Sequence, residues 1–366
     1  MRLLSSADEL TAIAWRGRPR LDFADAMRAC AIVMVVVLHV SATVVVQFGR
    51  IATSDWWVAN IIDAAVRPAV PLFVMTSGLL LLEPARNGSI LHFIRSRLLR
   101  VLVPSLGWAM IYLAWRVSYH GEHLSLGRAA HDVVSGRVYA HLWFIYMILG
   151  LYLVTPILRV YVSHAGAANQ RYFVALWLVM SSLLPFLERW SAVTVGLDRI
   201  VTVNFVGYFV LGHVLRAIVL TPRQRAIAWV AFVMAIGVTA AGTYIVSASP
   251  PYSLDESFYD SFSPNVVAMS IAVLLLIKSA RSSATSGRAK LAAGVRWLAG
   301  ASFGIYLVHP IVQELFQGGL LGVRIDGVVG PALIAIPLTT FAVMVVSALL
   351  VAALRRLGAV TAWLAP

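Results

Sequence analysis

The stretch DAMRACAIVMVVVLHV, residues 25–40, decides the fold of this chain. It is almost wholly apolar and predicts a membrane-spanning helix that carries two basic side chains, Arg28 and His39. Eleven residue steps of an α-helix place both on one face, roughly 16 Å apart along the axis. Because a hydrocarbon core is about 30 Å thick, His39 is expected near mid-membrane, where an ionisable group is costly and a sign of function.

The composition of the whole chain is that of a polytopic membrane protein. Of its 366 residues, 60% are hydrophobic and only 12% are charged, and the mean hydropathy is +0.84. A soluble domain of this length needs far less apolar surface. The formal net charge of +13 invites a nucleic-acid partner, but its distribution along the chain indicates membrane topology, so no nucleic acid is expected. The single cysteine, Cys30, excludes a disulfide framework.

Ten apolar stretches are long enough to cross a bilayer, so the predicted fold class is an all-α polytopic membrane protein. One transmembrane domain, residues 25–356, is expected between a polar N-terminal tail, residues 1–24, and a C-terminal tail, residues 357–366. The predicted spans are about 29–48, 59–83, 98–118, 140–162, 171–187, 201–219, 226–247, 263–280, 298–318 and 330–353.

Basic residues predict the orientation of these spans. With the N-terminus inside, 21 of the 29 Lys and Arg residues fall in inner segments, as the positive-inside rule requires. Both termini are therefore predicted to be cytoplasmic. The lipid bilayer is itself a partner, since basic inner loops are attracted to anionic headgroups. No residue discriminates a monomer from an oligomer.

Asp25, Arg28 and His39 are the candidate catalytic residues on the first span. Asp25 and Arg28 are three residues apart, close enough to pair across one helical turn. A boundary arginine taken alone is explained by snorkelling, and a lone histidine by packing between helices. A mid-membrane histidine on the same face as the arginine favours a functional pair.

A second basic cluster, Arg95, Arg97 and Arg100, precedes Pro104 at the inner end of the third span. Arg97 and Arg100 share a helix side, so two guanidinium groups can converge on one anion, and phosphate fits that geometry. The positive-inside rule alone also explains a cluster of arginines at the inner end of a span. No glycine-rich phosphate loop is present in the sequence, so a nucleotide-bearing donor would be held by arginines.

Two further places carry polar residues near the apolar spans. In the ninth span Tyr306 and His309 are neighbours at helical spacing, and Pro310 removes the hydrogen bond from the carbonyl of Tyr306, four residues back. At the outer end of the fourth span His141 is a candidate for an acceptor groove, while Trp143 is also explained as part of an aromatic belt. The histidines and acids of the preceding outer loop fit no tight zinc pattern, so no metal site is predicted.

Taken together, these motifs make the chain resemble the acyltransferase-3 family of bacterial integral-membrane O-acyltransferases. The resemblance runs from about residue 21 to residue 353 and is closest to the branch that O-acetylates surface polysaccharides and enterobacterial common antigen. The residues that carry it are Asp25-x-x-Arg28-x10-His39, Arg67 to Gly78, Arg97-x-x-Arg100, His141 to Phe144, Tyr208 to Gly212, Ser263 to Asn265, and Gly304 to His309.

The resemblance implies a cytoplasmic acyl-CoA donor, acetyl-CoA in the simplest case, and no metal. The implied acceptor is a hydroxyl of a cell-surface sugar or lipid-linked glycan, and the implied location is the bacterial inner membrane. His39 would be the essential catalytic residue with Arg28 as its partner, and Arg97 and Arg100 would meet the phosphates of coenzyme A. The candidate acceptor-binding residues are His309, Tyr306, His141, Trp143, Ser77 and Asn265.

The mechanism and the function each have an alternative at this stage. His39 acts either as a general base on the acceptor hydroxyl or as a nucleophile that relays the acyl group. Tyr306 and His309 are expected to orient the acceptor or to stabilise the oxyanion. The alternative function is a transporter or flippase in which the histidines form a proton path, which the lack of repeat symmetry disfavours. A purely structural subunit leaves Arg28, His39 and His309 unexplained.

Overall fold

The computed structural model describes residues 22–83, 89–191, 204–280, 286–319, 322–357 and 363–365, and these residues form helices without any β-strand. Short 3₁₀ turns precede α6 and α11 and follow α9, and a π-helical segment, Val179–Leu183, joins α7 to α8. The helices are α1 (Asp22–Val45), α2 (Thr53–Val66), α3 (Ala69–Leu81), α4 (Ile90–Ser118), α5 (Leu126–Ser135), α6 (Trp143–His164), α7 (Ala167–Leu178), α8 (Leu184–Trp190), α9 (Asn204–Val214), α10 (Pro222–Ser247), α11 (Pro264–Ser279), α12 (Ser286–Gln317) and α13 (Ala332–Arg356).

Nine helical segments in the described part of the chain are long and apolar enough to cross a membrane, which confirms the all-α polytopic fold class. They correspond to nine of the ten predicted spans. The predicted sixth span, 201–219, begins outside the described residues, and its described part is α9 followed by the short turn Leu215–Ala217. The terms inner and outer below follow the orientation predicted from the basic residues.

The second span is broken in the middle. Helix α2 ends at Val66 and α3 begins at Ala69, with Arg67 and Pro68 between them. Pro68 has no amide hydrogen, so it cannot continue the hydrogen-bond pattern of α2. Irregular backbone at membrane depth is tolerated where it is buried in protein or lines a cavity, and this break places Arg67 in the lining of a cavity.

Helix α1 is the central element of the bundle. It packs against α2, α3, α11, α12 and α13, and apolar side chains such as Met27, Ile32 and Val36 are fully buried along it. Arg28 and His39 are half-buried on the same helix. Because α1 is surrounded by neighbours, both basic groups lie within the protein, as their position in the sequence predicts.

Helices α3 and α9 approach so closely that their crossing requires glycine. A Cβ atom on Gly78 of α3 would lie 1.8 Å from the carbonyl oxygen of Phe209, and a Cβ atom on Gly212 of α9 would lie 2.0 Å from that of Met75. Small residues allow membrane helices to come into backbone contact, where van der Waals packing drives association. The two glycines therefore hold the helix pair that supports the second half of the broken span.

We expect Gly78→Ala to destabilise the protein by about 1–3 kcal/mol, because the added methyl forces the backbone of α9 to move. The matched control is Gly237→Ala in α10, where nothing lies within 4 Å of the added Cβ and alanine is the better helix former. Thermal unfolding in detergent compares the two variants with the wild type. Equal melting temperatures for both variants would contradict the close crossing.

The outer loop between α4 and α6 is held by ion pairs. Arg116 pairs with Glu122 at 2.7 Å and with Asp132 at 2.9 Å. Hydrogen bonds from this guanidinium hold the pKa of both carboxyl groups below their usual values. His120 Nε2 lies 3.0 Å from Glu314 Oε2 of α12. These contacts attach the loop to α4 and α12.

Part of the predicted C-terminal tail is docked onto the bundle. Trp108 Nε1 donates a hydrogen bond to Leu364 O at 2.8 Å, and Arg355 Nε donates one to Ala365 O at 2.7 Å. At the other end of the chain α1 begins at Asp22, and residues 1–21 of the predicted N-terminal tail lie outside the described residues. Within the described residues α1 therefore includes Asp22 to Ala24, which precede the predicted start of the domain at residue 25.

Candidate active site

Two cavities meet inside the bundle and share one wall. The inner chamber, about 360 Å³, is lined by Arg28, Arg97 and Arg100 among others. The outer chamber, about 260 Å³, contains His39 in its lining. Phe144 of α6 and Tyr306 of α12 line both chambers, and the centroids of their rings are 5.4 Å apart. These two rings therefore form the wall between the arginines and the histidine.

His39 presents one ring nitrogen for chemistry. Its Nδ1 lies 2.8 Å from Val35 O. A carbonyl oxygen only accepts, so Nδ1 carries the proton and Nε2 holds the lone pair of the neutral ring. Gln313 of α12 donates a hydrogen bond to His39 O at 3.1 Å, which ties this turn of α1 to its neighbour. An imidazole with a defined tautomer is suited to act as a base or a nucleophile.

Two more histidines pack around His39. The ring centroid of His309 is 4.8 Å from that of His39 and 5.7 Å from that of His141. His309 Nδ1 donates to Tyr306 O at 2.9 Å, the carbonyl that Pro310 deprives of its helical partner. His309 Nε2 and both ring nitrogens of His141 are buried without a hydrogen-bond partner. His141 lines the outer chamber, so its nitrogens remain for a bound substrate or water, whereas His309 lines neither chamber and lies behind His39.

No group of His, Cys, Asp or Glu side chains within the described ranges has the arrangement of a metal site.

The hydroxyl of Tyr306 is engaged within the protein, because it donates a hydrogen bond to His141 O. The side chain of Tyr306 thus fixes the turn that carries His141, and its hydroxyl proton is already used by a protein acceptor. Tyr306 therefore lines both chambers and holds the backbone of His141, and its hydroxyl is not available to an acceptor or an oxyanion.

Arg67 is a cation in the lining of the outer chamber. Its Nε donates to Asp63 Oδ1 at 2.6 Å, its Nη2 pairs with the same oxygen, and Ser41 Oγ donates to Asp63 Oδ2 at 2.8 Å. The guanidinium also lies 3.8 Å above the ring of Tyr259, a cation–π contact. Because the ion pair uses Nε and Nη2, the N–H groups of Nη1 remain to bind an oxygen atom in the chamber.

We expect Asp63→Asn to destabilise the protein by about 3–5 kcal/mol, because it leaves the charge of Arg67 uncompensated beside a fully buried position. The double variant Asp63→Asn/Arg67→Gln removes both charges and is expected to recover most of this loss. Thermal unfolding in detergent measures both effects. A single variant that melts with the wild type, or a double variant that is worse than the single one, would contradict the buried ion pair.

The inner chamber brings together two basic motifs from different helices. Arg28 comes from α1, and Arg97 and Arg100 come from α4. Arg95, from the same predicted cluster, is exposed and stands outside the lining of the chamber. Apolar side chains from α6 and α12 complete the walls, Ile148 among them. Three guanidinium groups at one cavity suit a ligand with several phosphate charges and an uncharged arm.

The remaining predicted residues are divided between the chambers and their surroundings. Ser77 lines the inner chamber, although the sequence suggests it for the acceptor. Trp143 lines the outer chamber and is 43% exposed. Asp25 is half-buried on α1 and stands outside the lining of both chambers. The wall of two rings thus lies between Ser77 and Trp143, and the fully buried His309 lines neither chamber.

Asn265 holds the start of α11. Its side-chain amide donates to Thr239 Oγ1 at 2.8 Å and to Phe258 O at 2.7 Å, and it is buried. The residue is not part of the lining of either chamber. These contacts give it a structural role in joining α10, α11 and the turn before α11, rather than the substrate contact expected from the sequence.

Arg67 and Asp63 were not predicted as site residues, although the sequence contains a signal for them. The two are four residues apart, the spacing of neighbours on a helix, and they interrupt an apolar span directly before Pro68. An acid and a base at that spacing in a membrane helix predict a buried pair. Phe144 gave no such signal, because it is one apolar residue among many.

Fold and site together define a multi-pass membrane protein whose central histidine lies beyond an arginine-lined chamber. The model of the acyltransferase-3 family, described as an acyltransferase domain, matches residues 21–354. The chain therefore belongs to this family and is an integral-membrane acyltransferase. Searches of curated proteins and of solved structures find no match to it.

Proposed function

We propose that the protein transfers an acyl group, acetyl in the simplest case, from cytoplasmic acyl-CoA to a hydroxyl of a cell-surface sugar or lipid-linked glycan. The observation that carries this proposal is the pair of chambers with a common wall. Among the described residues, three arginines line one chamber, His39 lines the other, and Phe144 and Tyr306 are common to both. Membership of the acyltransferase-3 family supports the class of reaction.

The inner chamber is proposed to bind the donor. Arg28, Arg97 and Arg100 would contact the phosphate groups of coenzyme A through charge-assisted hydrogen bonds. The uncharged arm that carries the thioester would then follow the apolar walls, where Ile148 and Phe303 lie. The thioester is proposed to lie against Phe144 and Tyr306, which also line the chamber of His39.

His39 Nε2 is proposed to take the proton of the acceptor hydroxyl as that oxygen attacks the thioester carbon. A C–O bond forms, the C–S bond breaks, and the thiolate of coenzyme A leaves with the proton returned by the imidazolium. Arg67 lines the same chamber, and its guanidinium is proposed to stabilise the negative oxygen of the tetrahedral intermediate. In the relay variant Nε2 attacks the thioester carbon first, the C–S bond breaks, and the thiolate of coenzyme A leaves an acyl-imidazolium on His39. The acceptor hydroxyl then attacks the same carbon, the C–N bond breaks to return the neutral imidazole, and the hydroxyl proton neutralises the thiolate.

The acceptor is proposed to enter the outer chamber. His39 and His141 both line this chamber, and the ring nitrogens of His141 are without a partner and can bind a hydroxyl group. Trp143 offers an exposed ring for the apolar face of a sugar. With the predicted orientation the outer chamber faces the outside of the bacterial inner membrane, which is where surface glycans are found.

The test is transfer from labelled acetyl-CoA to the glycolipid and polysaccharide fraction of the source cells, with the purified protein in lipid vesicles. The proposal requires label in the glycan that is released by mild alkali, as expected for an ester and not for an amide. The His39→Gln protein in the same vesicles gives the background. Label confined to water-soluble acetate or to amides would contradict O-acyl transfer.

Binding of coenzyme A separates this function from a transporter with a histidine proton path. A transporter has no use for a donor site, so acetyl-CoA should neither bind saturably nor be consumed. The family match favours the enzyme. The arginine-lined chamber favours it as well, since proton transport has no need of three cations at one entrance.

A further inference from the structure

The wall formed by Phe144 and Tyr306 bears on which acyl groups the enzyme can transfer, an inference that rests on the proposed function. A donor whose phosphates are held by the arginines of the inner chamber approaches from the near side of Phe144 and Tyr306, whereas His39 lies on the far side. The acyl group must therefore pass between or beside these two rings to reach the acceptor. We propose that Phe144, set against Tyr306, forms an aperture that selects short acyl groups.

The two rings differ in how firmly they are held. Tyr306 is 6% exposed, its hydroxyl donates to His141 O, and its ring stacks on Phe303 with centroids 6.4 Å apart. Phe144 is half-buried and contacts the ring of Phe73 at a centroid distance of 6.0 Å. Tyr306 is the fixed side of the aperture, and the size of the side chain at position 144 sets its width.

The outer chamber adds a second limit on chain length. The carbons beyond the acyl carbonyl must extend past the aperture into a cavity of about 260 Å³ that also has to hold the acceptor hydroxyl. Polar groups occupy part of its lining, including His39, Arg67 and Tyr259. An alkyl chain placed there would displace water from these groups without replacing its hydrogen bonds. Acetyl and propionyl groups avoid this cost, and longer chains do not.

The test compares acetyl-, butyryl- and hexanoyl-CoA as donors for the wild type, Phe144→Leu and Phe173→Leu. Phe173 of α7 is the matched control, because it has the same half-buried side chain, contacts the ring of Tyr161 and lines neither chamber. The measurement is release of the coenzyme A thiol in vesicles with the glycan fraction, after subtraction of the His39→Gln rate. In Phe144→Leu the rate with hexanoyl-CoA relative to acetyl-CoA is expected to rise about tenfold, the usual scale of steric discrimination in an apolar pocket.

In Phe173→Leu the same ratio is expected to stay at the wild-type value. A third variant, Phe144→Trp, narrows the aperture and is expected to lower the ratio of butyryl to acetyl transfer. Equal use of all three donors by the wild type, or equal shifts of the ratio in the Phe144 and Phe173 variants, would overturn the aperture and leave the proposed function standing. Absence of His39-dependent thiol release from every donor would overturn the proposed function and the aperture with it.

Discussion

Exchange of His39 for glutamine is expected to lower the rate of acyl transfer by about 10³-fold, within the range that general bases contribute. Glutamine keeps a polar side chain of similar length, and its amide can still donate to Val35 O, the partner of His39 Nδ1. It offers no basic nitrogen in place of Nε2. Transfer from labelled acetyl-CoA to the glycan fraction measures the loss, and the amount of protein in the membrane is expected to stay the same.

The matched control is His92→Gln on α4, where the histidine is exposed and outside both chambers. This variant should transfer at the wild-type rate. Incubation with labelled donor in the absence of acceptor separates the two forms of the mechanism. The acyl-histidine relay predicts that the wild-type protein becomes labelled and that hydroxylamine removes this label. The His39→Gln protein should not become labelled. Full transfer by His39→Gln would exclude His39 from the chemistry altogether.

The double variant Arg97→Ala/Arg100→Ala is expected to weaken binding of acetyl-CoA by about 100-fold or more, since each hydrogen bond to a charged group contributes about 1.5–3 kcal/mol. Both guanidinium groups line the inner chamber, and phosphate is the ligand group that fits two arginine forks. Equilibrium binding of labelled acetyl-CoA to the detergent-purified proteins gives the dissociation constants. Binding to the wild type is also expected to weaken as salt is added.

Arg95→Ala provides the control for charge alone. Arg95 is two residues from Arg97 on the same helix, yet it is exposed and outside the chamber. Its removal takes away one inner positive charge and is expected to leave the dissociation constant within about twofold, as for a screened surface charge. An equal loss in Arg95→Ala would attribute binding to the basic surface in general. No binding to the wild type at millimolar ligand would favour the transporter.

The variants test different steps of the proposed reaction. The arginine variants test whether the inner chamber is a donor site, His39→Gln tests the reaction, and the Phe144 series tests the passage between them. Asp63→Asn and Gly78→Ala are expected to lower the melting temperature, the first through a buried ion pair and the second through helix packing. They therefore show how a loss of folding looks in the same assays.

The amino-acid sequence by itself determined the number and position of most spans, because a run of about twenty apolar residues has few stable places other than a bilayer. It also singled out His39, Arg28, Arg97 and Arg100, all of which line the two chambers, since charges stand out against an apolar background. The break at Pro68 is readable in the sequence as well, although the role of Arg67 beside it is not.

Only the tertiary structure decided which helix faces meet. Membrane helices are apolar towards lipid and towards each other, so hydropathy carries little information on which side packs against protein. The meeting of His39 with His309 and His141 depends on contacts among α1, α12 and the turn before α6. The same holds for Phe144, one of two rings that divide the chambers, and for Asn265, whose amide is taken up by helix contacts. Such contacts depend on shape and on the pairing of polar atoms, which exist only once the helices are assembled.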